Sequence, residues 1–535
     1  MSGSAAPNCP LLDRRAMVAR LGAENFDLAI IGGGVNGAAI ARDAAMRGLK
    51  VALLEQGDFA GATSSRSSKL IHGGLRYLPQ GQLRLVYQAL RERERLRHLT
   101  APHLVGPIRF LLPFRRGRRP GRVALSIGLA LYDLMAWTPR QERHRRFSAA
   151  HLRELEPGLI SNGVTGGATY FDAWGDDARI TLENMLDAAY HGAAVANYAA
   201  VESLARDRHG DALLRVRDLE NRAPIEVRAH TIVNAAGPWV DQIRRMETPD
   251  AAPSVRLTKG AHLVIARERL PVRNPLVLTD LGGRIIFVIP YGDHLLIGTT
   301  DTDFDGDPAR VAVEAGDVEY LLGVITDWLP DFGLRAEDVL HGFAGLRALP
   351  LAAPGAGPSA VPRDEVILES AAGTITVAGG KLTTHRAIAE EVVDRVCARS
   401  GRPEAKSSTR ETPLPGARSS VPGDANLQRL PQPIRELLRA RYGSRAEIVA
   451  TIAGEQIELG ALLVAGAPAI GAEVIFAARY ELARTVEDFI VRRTALSWQA
   501  PEAARAAAPL VARLLESELK NLRDAPRFAA GVSSD

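Results

Sequence analysis

Cysteine is almost missing from this chain: Cys9 and Cys397 are its only two, far apart in 535 residues. They can build neither a disulfide framework nor a cysteine-bound metal cluster, which points to a reducing cytoplasm, and no metal site is expected. Long apolar runs are missing too. Nothing approaches the ~20 residues needed to cross a bilayer, and the nearest run, 123–137, is shorter and contains Asp133. The first 25 residues lack an apolar stretch ahead of a small-residue cleavage site and do not resemble a secretory leader. They read as a loose extension, helical around 14–21. Internal repeats and low-complexity tracts do not occur, which argues against a solenoid.

Charge of one sign is also scarce overall, at a formal +4, and so small an excess says little about partners. No nucleic acid is expected. The local distribution is more telling: six arginines and no acidic residue lie within 109–122, beside Phe110, Leu111, Leu112 and Phe114. That mixture suits an anionic membrane surface, to which the chain would bind peripherally. A solvated basic face packed on a buried helix is the other reading. At this length two to four domains are expected.

Residues 26–31 are apolar and β-rich and end at glycines; 35–47 follow with helical spacing, and 50–55 are apolar again. That is the order of a dinucleotide-binding βαβ unit. Two further strand-to-glycine transitions lie far downstream, at 231–237 and 374–381, so one nucleotide domain is assembled from three distant pieces. Strand-like runs at 284–290 and 295–298 belong to an insertion between them. Prolines and glycines crowd 401–423, and 434–442, 473–493 and 501–523 then show helical periodicity.

Gly32, Gly34 and Gly37 fit GxGxxG between the first strand and its helix. The first glycine permits the tight turn, the second lets backbone approach a pyrophosphate, and the third lets helix and strand pack closely. The helix N-terminus offers free N–H groups to phosphate. Glu55 follows Gly34 by 21 residues and ends the second strand, where a carboxylate can accept ribose hydroxyls. NAD and FAD both use this fingerprint. A hydroxyl-rich loop at 63–68, with Thr63, Ser64 and Ser65, leads into Lys69 and then His72, Arg76 and Tyr77.

The run 67–78, together with the blocks at 234–239, 298–301 and 379–384, resembles the aerobic FAD-dependent glycerol-3-phosphate dehydrogenases of the D-amino-acid-oxidase-like superfamily. The resemblance covers 26–396 and continues more loosely through the C-terminal helices. It implies an α/β fold (α+β overall): a discontinuous Rossmann-like FAD-binding domain with an inserted antiparallel-sheet substrate domain and a C-terminal helical domain. The expected boundaries are an extension at 1–25, a FAD-binding domain at 26–110, 160–250 and 340–400, a substrate domain at 111–159 and 251–339, and helices at 401–535.

Carried over position by position, the resemblance implies that Gly32, Gly34, Gly37 and Glu55 hold the ADP half of FAD. Thr63, Ser64, Ser65 and Lys69 would lie along its pyrophosphate and flavin, and Gly380, Lys381 and Leu382 would open a helix facing the ring. A positive helix end there stabilises anionic reduced flavin. Arg76, Tyr77, His262, Arg347 and Arg363 match substrate positions, the arginines suiting a phosphate dianion because a guanidinium bonds two of its oxygens at once.

The implied reaction oxidises glycerol 3-phosphate to dihydroxyacetone phosphate by hydride transfer from C2. His72 is the first candidate for the base and Lys381 the second, with Arg347 completing the catalytic set. Electrons would pass to a membrane quinone at the inner face of the cell membrane, and a homodimer is compatible with the family. The stretch 352–358 departs from the family pattern between Arg347 and Arg363. An oxygen-dependent glycerophosphate oxidase is the closest alternative, and an amine oxidase of the sarcosine or glycine type a more distant one. An anaerobic dehydrogenase subunit is disfavoured, because that type typically adds a cysteine-bound iron–sulfur segment that two scattered cysteines cannot supply.

Overall fold

A computed structural model describes residues 11–118, 122–136, 142–160, 162–351, 365–418 and 424–524. Its first sheet has strands Ala194–Ala196, Val51–Leu54, Asn25–Ile31, Pro224–Asn234 and Ile375–Ala378 side by side and parallel. Strand Val366–Glu369 adds an antiparallel edge, and the hairpin Ala199–Arg206 and Ala212–Asp218 extends Pro224–Asn234. Val51–Leu54, Ala194–Ala196 and the second half of Asn25–Ile31 are continuous apolar runs because both of their faces are covered, whereas the first half of Pro224–Asn234 alternates buried and exposed residues.

On one face lies the alanine-rich helix Val35–Met46, packed with helices Asp177–Tyr190 and His385–Arg399. Alanines at 38, 39, 41, 44 and 45 let the three helices approach closely. The other face carries helix Arg14–Ala23 and the hairpin. Three remote segments therefore do build one nucleotide-type sheet.

The amino-terminal segment is not loose from Leu12 onward. Arg14 is 2% exposed: its Nη2 donates to the Asn197 carbonyl at 2.7 Å and to Asp218 Oδ1 at 2.8 Å. A buried cation with that many acceptors anchors the helix that carries it.

The second sheet has ten strands, and all of its named pairings are antiparallel except that of Leu276–Thr279 with Val105–Arg115. It draws on more of the chain than 111–159 and 251–339. Leu70–Ile71, all of Val105–Arg115, Val164–Gly175 and Val339–Pro350 hydrogen bond into it as well. The reason is pairing rather than composition: each of these strands finds an antiparallel partner in this sheet, which no local signal reveals.

Beyond residue 424, helices Gln432–Tyr442, Ala446–Ala453, Gly471–Tyr480 and Pro501–Asp524 pack around two apolar clusters. The expected helix over 473–493 is broken. Leu482 takes a φ of +55°, and buried Glu481 is drawn to Arg179 at 2.7 Å and Arg445 at 3.2 Å. The following turn, Asp488–Arg493, brings Arg492 and Arg493 onto Asp58, each at 2.7 Å, so the C-terminal helices brace the loop that follows Glu55.

Candidate active site

The glycine turn is built to be close-packed. A Cβ on Gly32, whose φ is +108°, would stand 2.5 Å from the Ala235 carbonyl oxygen, and one on Gly37 would stand 1.9 Å from that of Gly32. Glycine at both positions is thus what lets the turn and the helix start lie directly against backbone. The Val35 N–H at the helix start donates to Ser64 Oγ at 2.9 Å, and Asn36 Nδ2 donates to the Gly379 carbonyl at 3.2 Å. Asn36 Oδ1 is buried without a partner, a polar atom waiting for a donor. Glu55 accepts from the Gly33 and Gly57 N–H groups at 2.7 and 2.8 Å. Burial pushes its carboxyl up from the ordinary value, and the two N–H groups oppose that.

The hydroxyl loop divides its work. Ser64 faces the helix start, Thr63 Oγ1 turns away to donate to the Leu346 carbonyl at 2.6 Å, and Ser65 Oγ donates to Ala62. Lys69, in a left-handed conformation, sends its Nζ to Asp177 Oδ1 and to the Ser65 carbonyl, both at 2.6 Å. Asp177 also accepts from Ser67 Oγ at 2.6 Å. The charge of Lys69 is thus met by Asp177, a residue missed in the sequence because it reads there as an ordinary helix-capping acid.

On the second sheet Arg347 lies across strand Val255–Ala266. Its guanidinium donates to Thr299 Oγ1 at 3.1 Å and to the Thr300 carbonyl and Asp301 Oδ1, both at 3.3 Å. A Cβ on Gly260 would sit 2.5 Å from Nη2, so glycine leaves the room in which the fork lies flat. The block 298–301 acquires a physical meaning here: Thr299 and Asp301 orient Arg347, and Gly298 leaves space for His262.

His262 stacks on Phe343, ring centres 5.0 Å apart, and shares a 2.8 Å hydrogen bond with Ser68 Oγ. Burial, then Arg347, then Lys69 hold its pKa down to about 3. It is therefore neutral, a polar rather than a cationic neighbour of Arg347.

A second group forms where the glycine pair Gly379–Gly380, both at positive φ, leads into the turn Leu382–Thr384 and helix His385–Arg399. Lys381 Nζ stands 4.2 Å over the ring of buried Tyr77, and Thr383 Oγ1 donates to the His72 carbonyl at 3.1 Å. Segment 63–77 thus touches both the Arg347–His262 group and the Lys381 group. The Arg76 side chain and all of Arg363 lie outside the described residues. A residue from the C-terminal domain also arrives: Trp498 packs on Tyr291 at 4.6 Å and lies 5.7 Å from Lys69 Nζ. Nothing local in its sequence marks it.

Among the described residues no group of three or more His, Cys, Asp or Glu could hold a metal, and no helix is long and apolar enough to cross a membrane.

Residues 27–395 match the model of the FAD dependent oxidoreductase family, and 407–524 match that of the C-terminal domain of alpha-glycerophosphate oxidase. Glycerol-3-phosphate dehydrogenase 2 of Mycobacterium tuberculosis is 39% identical over 530 residues, spanning 96% of this chain and 89% of that protein. The aerobic glycerol-3-phosphate dehydrogenase of Bacillus subtilis is 35% identical over 90% of this chain and 89% of its own length. The glycerol-3-phosphate dehydrogenase of Bacillus halodurans, solved in complex with FAD, superposes with a TM-score of 0.75 at 29% identity, covering 97% of this chain and 99% of that one.

Proposed function

The chain belongs to the FAD dependent oxidoreductase family, within its glycerol-3-phosphate dehydrogenases, and from that premise we propose how its own residues carry out the reaction. The substrate is sn-glycerol 3-phosphate and the product dihydroxyacetone phosphate. FAD, when bound, supplies the two-electron acceptor for the C2 hydride. The fit is physical: a side-chain-free cradle at Gly32, Gly34 and Gly37, the ribose-side carboxylate of Glu55, and the unpartnered Asn36 Oδ1. Gly380, Lys381 and Leu382 line the approach to the second helix start.

Arg347 binds the phosphate. The observation that carries this reading is its flat guanidinium, oriented by Thr299 and Asp301 beside a neutral His262. Arg76 and Arg363 are assigned to the same dianion. His72 takes the proton from the C2 hydroxyl, since removing hydride from that carbon becomes easier as its oxygen loses a proton. Lys381 stabilises the charge that develops there.

Membrane quinone is the electron acceptor in this reading, reached from the inner face of the cell membrane. Helix Arg122–Ala136 supports it by turning Ile127 and Leu134 outward, 65% and 73% exposed, and the adjoining helix Leu83–Arg95 adds exposed Leu83 and Tyr87. The basic cluster contributes less than its sequence promises. Arg115 and Arg118 are both paired with Asp327 and lie over Trp328, so exposed Arg116 is a better lipid contact than either, and Arg119 lies outside the described residues.

Anaerobic addition of glycerol 3-phosphate to the holoenzyme bleaches the flavin band near ~450 nm. An amine oxidase of the sarcosine or glycine type would stay yellow. Reduction of a ubiquinone analogue in place of oxygen consumption then separates the dehydrogenase from an oxidase.

A further inference from the structure

The peptide joining His72 to Gly73 is held at both of its polar ends. Its carbonyl accepts from Thr383 Oγ1 at 3.1 Å. Its N–H, on Gly73, enters a buried cluster, where it meets Tyr132 Oη at 2.9 Å and Asp172 Oδ1 at 3.1 Å. The same carboxylate oxygen accepts from Tyr132 Oη at 2.9 Å and from Arg93 Nη1 at 2.8 Å. Tyr132 comes from helix Arg122–Ala136, Arg93 from helix Leu83–Arg95, and Asp172 from strand Val164–Gly175.

There is no slack around this peptide. A Cβ on Gly73 would stand 2.3 Å from Leu90 Cδ2 and 2.5 Å from Tyr132 Oη. Burial and then Asp172 push the Tyr132 phenol well above its ordinary value, so it remains a donor. A buried ion pair such as Arg93–Asp172 contributes little net stability over an apolar replacement, because desolvation offsets most of its attraction. What the cluster contributes here is definition of geometry.

We propose that Tyr132, backed by Asp172 and Arg93, is a positioning residue for His72. It fixes the plane of the His72–Gly73 peptide against Thr383 and so sets the place of the imidazole relative to the Lys381 segment. This rests on the reading of His72 as the proton acceptor. The proposal adds to that reading three residues from elements that were not expected to form part of the site.

The test uses FAD-loaded protein carrying Tyr132→Phe, which removes one hydroxyl and leaves the ring packed against Tyr170. The rate of anaerobic flavin bleaching is measured alongside the KM for glycerol 3-phosphate, in the wild-type and the His72→Gln backgrounds. Tyr132→Phe is expected to slow bleaching about tenfold with KM changed by less than about twofold, and to add nothing once His72 is gone. Thr383→Val, at the opposite end of the same peptide, is expected to behave alike, and it serves if Tyr132→Phe compromises folding. Tyr170→Phe, the loss of a neighbouring phenol outside the clamp, should leave the rate unchanged.

A wild-type rate in both Tyr132→Phe and Thr383→Val, or equal losses in the two backgrounds, overturns the positioning role. Full activity in His72→Gln alone overturns the reading beneath it and the proposal with it. That failure is visible without any Tyr132 variant.

Discussion

The nucleotide half of the site and its substrate half are built by different kinds of contact. Around Gly32 to Gly37 the essential geometry is local: one strand, one turn and one helix, with glycines where a Cβ would collide with backbone. The substrate half is made of pairs far apart in the chain. Thr383 meets His72 across 311 positions, His262 meets Ser68 across 194, and Arg347 meets Thr299 across 48. Backbone shape can be specified by a short motif, whereas the aim of a side chain is specified by whichever remote strand happens to pair beside it.

That contrast can be broken or sharpened by substitution, and the largest effect belongs to the local half. Gly37→Ala places a methyl 1.9 Å from the Gly32 carbonyl oxygen, and the purified protein is expected to lose its bound FAD, read as missing flavin absorbance. Retained flavin would show that the turn can relax. Arg347→Ala should instead keep FAD and raise the KM for glycerol 3-phosphate about a hundredfold, roughly the cost of losing a two-pronged, charge-assisted contact. An unchanged KM rejects its phosphate role.

Ile127→Asp combined with Leu134→Asp should reduce binding to anionic vesicles by about tenfold or more, since two exposed apolar contacts become charged. Turnover with a water-soluble acceptor should persist, and undiminished sedimentation with vesicles would remove this helix from the membrane surface.

Acid provides a fourth comparison, because both halves contain a buried neutral histidine. Burial, followed by Arg347 and Lys69, holds His262 at about 3, and burial outweighs other influences to hold His385 at about 4. Each contributes stability that is complete above the unfolded imidazole value near ~6.5 and is lost as pH falls toward the folded value. Between pH ~6.5 and ~4.5 the unfolding free energy should drop by up to about 1.4 kcal/mol per pH unit for each histidine. Thermal melts should flatten over that window in His262→Gln and His385→Gln, and identical slopes would mean that neither imidazole is kept neutral. The smallest effect is expected from Asp301→Asn, which keeps an acceptor for Arg347 but loosens it: KM should rise about threefold to fivefold at nearly constant kcat.

Much of the fold was legible from residues alone. The three strand-to-glycine transitions do converge in one parallel sheet, and the strand-like runs at 284–290 and 295–298 appear as Ile285–Tyr291 and His294–Gly298. Sheet membership was less legible, because Val105–Arg115, Val164–Gly175 and Val339–Pro350 carry no mark of the partner they choose. Among the candidate site residues, the glycines stood out by motif and the arginines only through the family resemblance. Asp177, Asp172, Tyr132 and Trp498 did not, since each acquires its role only through a contact made by folding. The neutrality of His262 belongs to the same class: it follows from burial and two neighbouring cations, none of which its own segment encodes.

The central claim is that Arg347 grips the phosphate while the glycine half holds FAD independently. Flavin bleaching by glycerol 3-phosphate and by plain glycerol, compared in the wild-type and Arg347→Ala holoenzymes, tests it most directly. The preference for the phosphorylated substrate should shrink by about a hundredfold in the variant, with the slow reaction of glycerol unchanged. An undiminished preference, or an equal loss with both alcohols, would contradict the account.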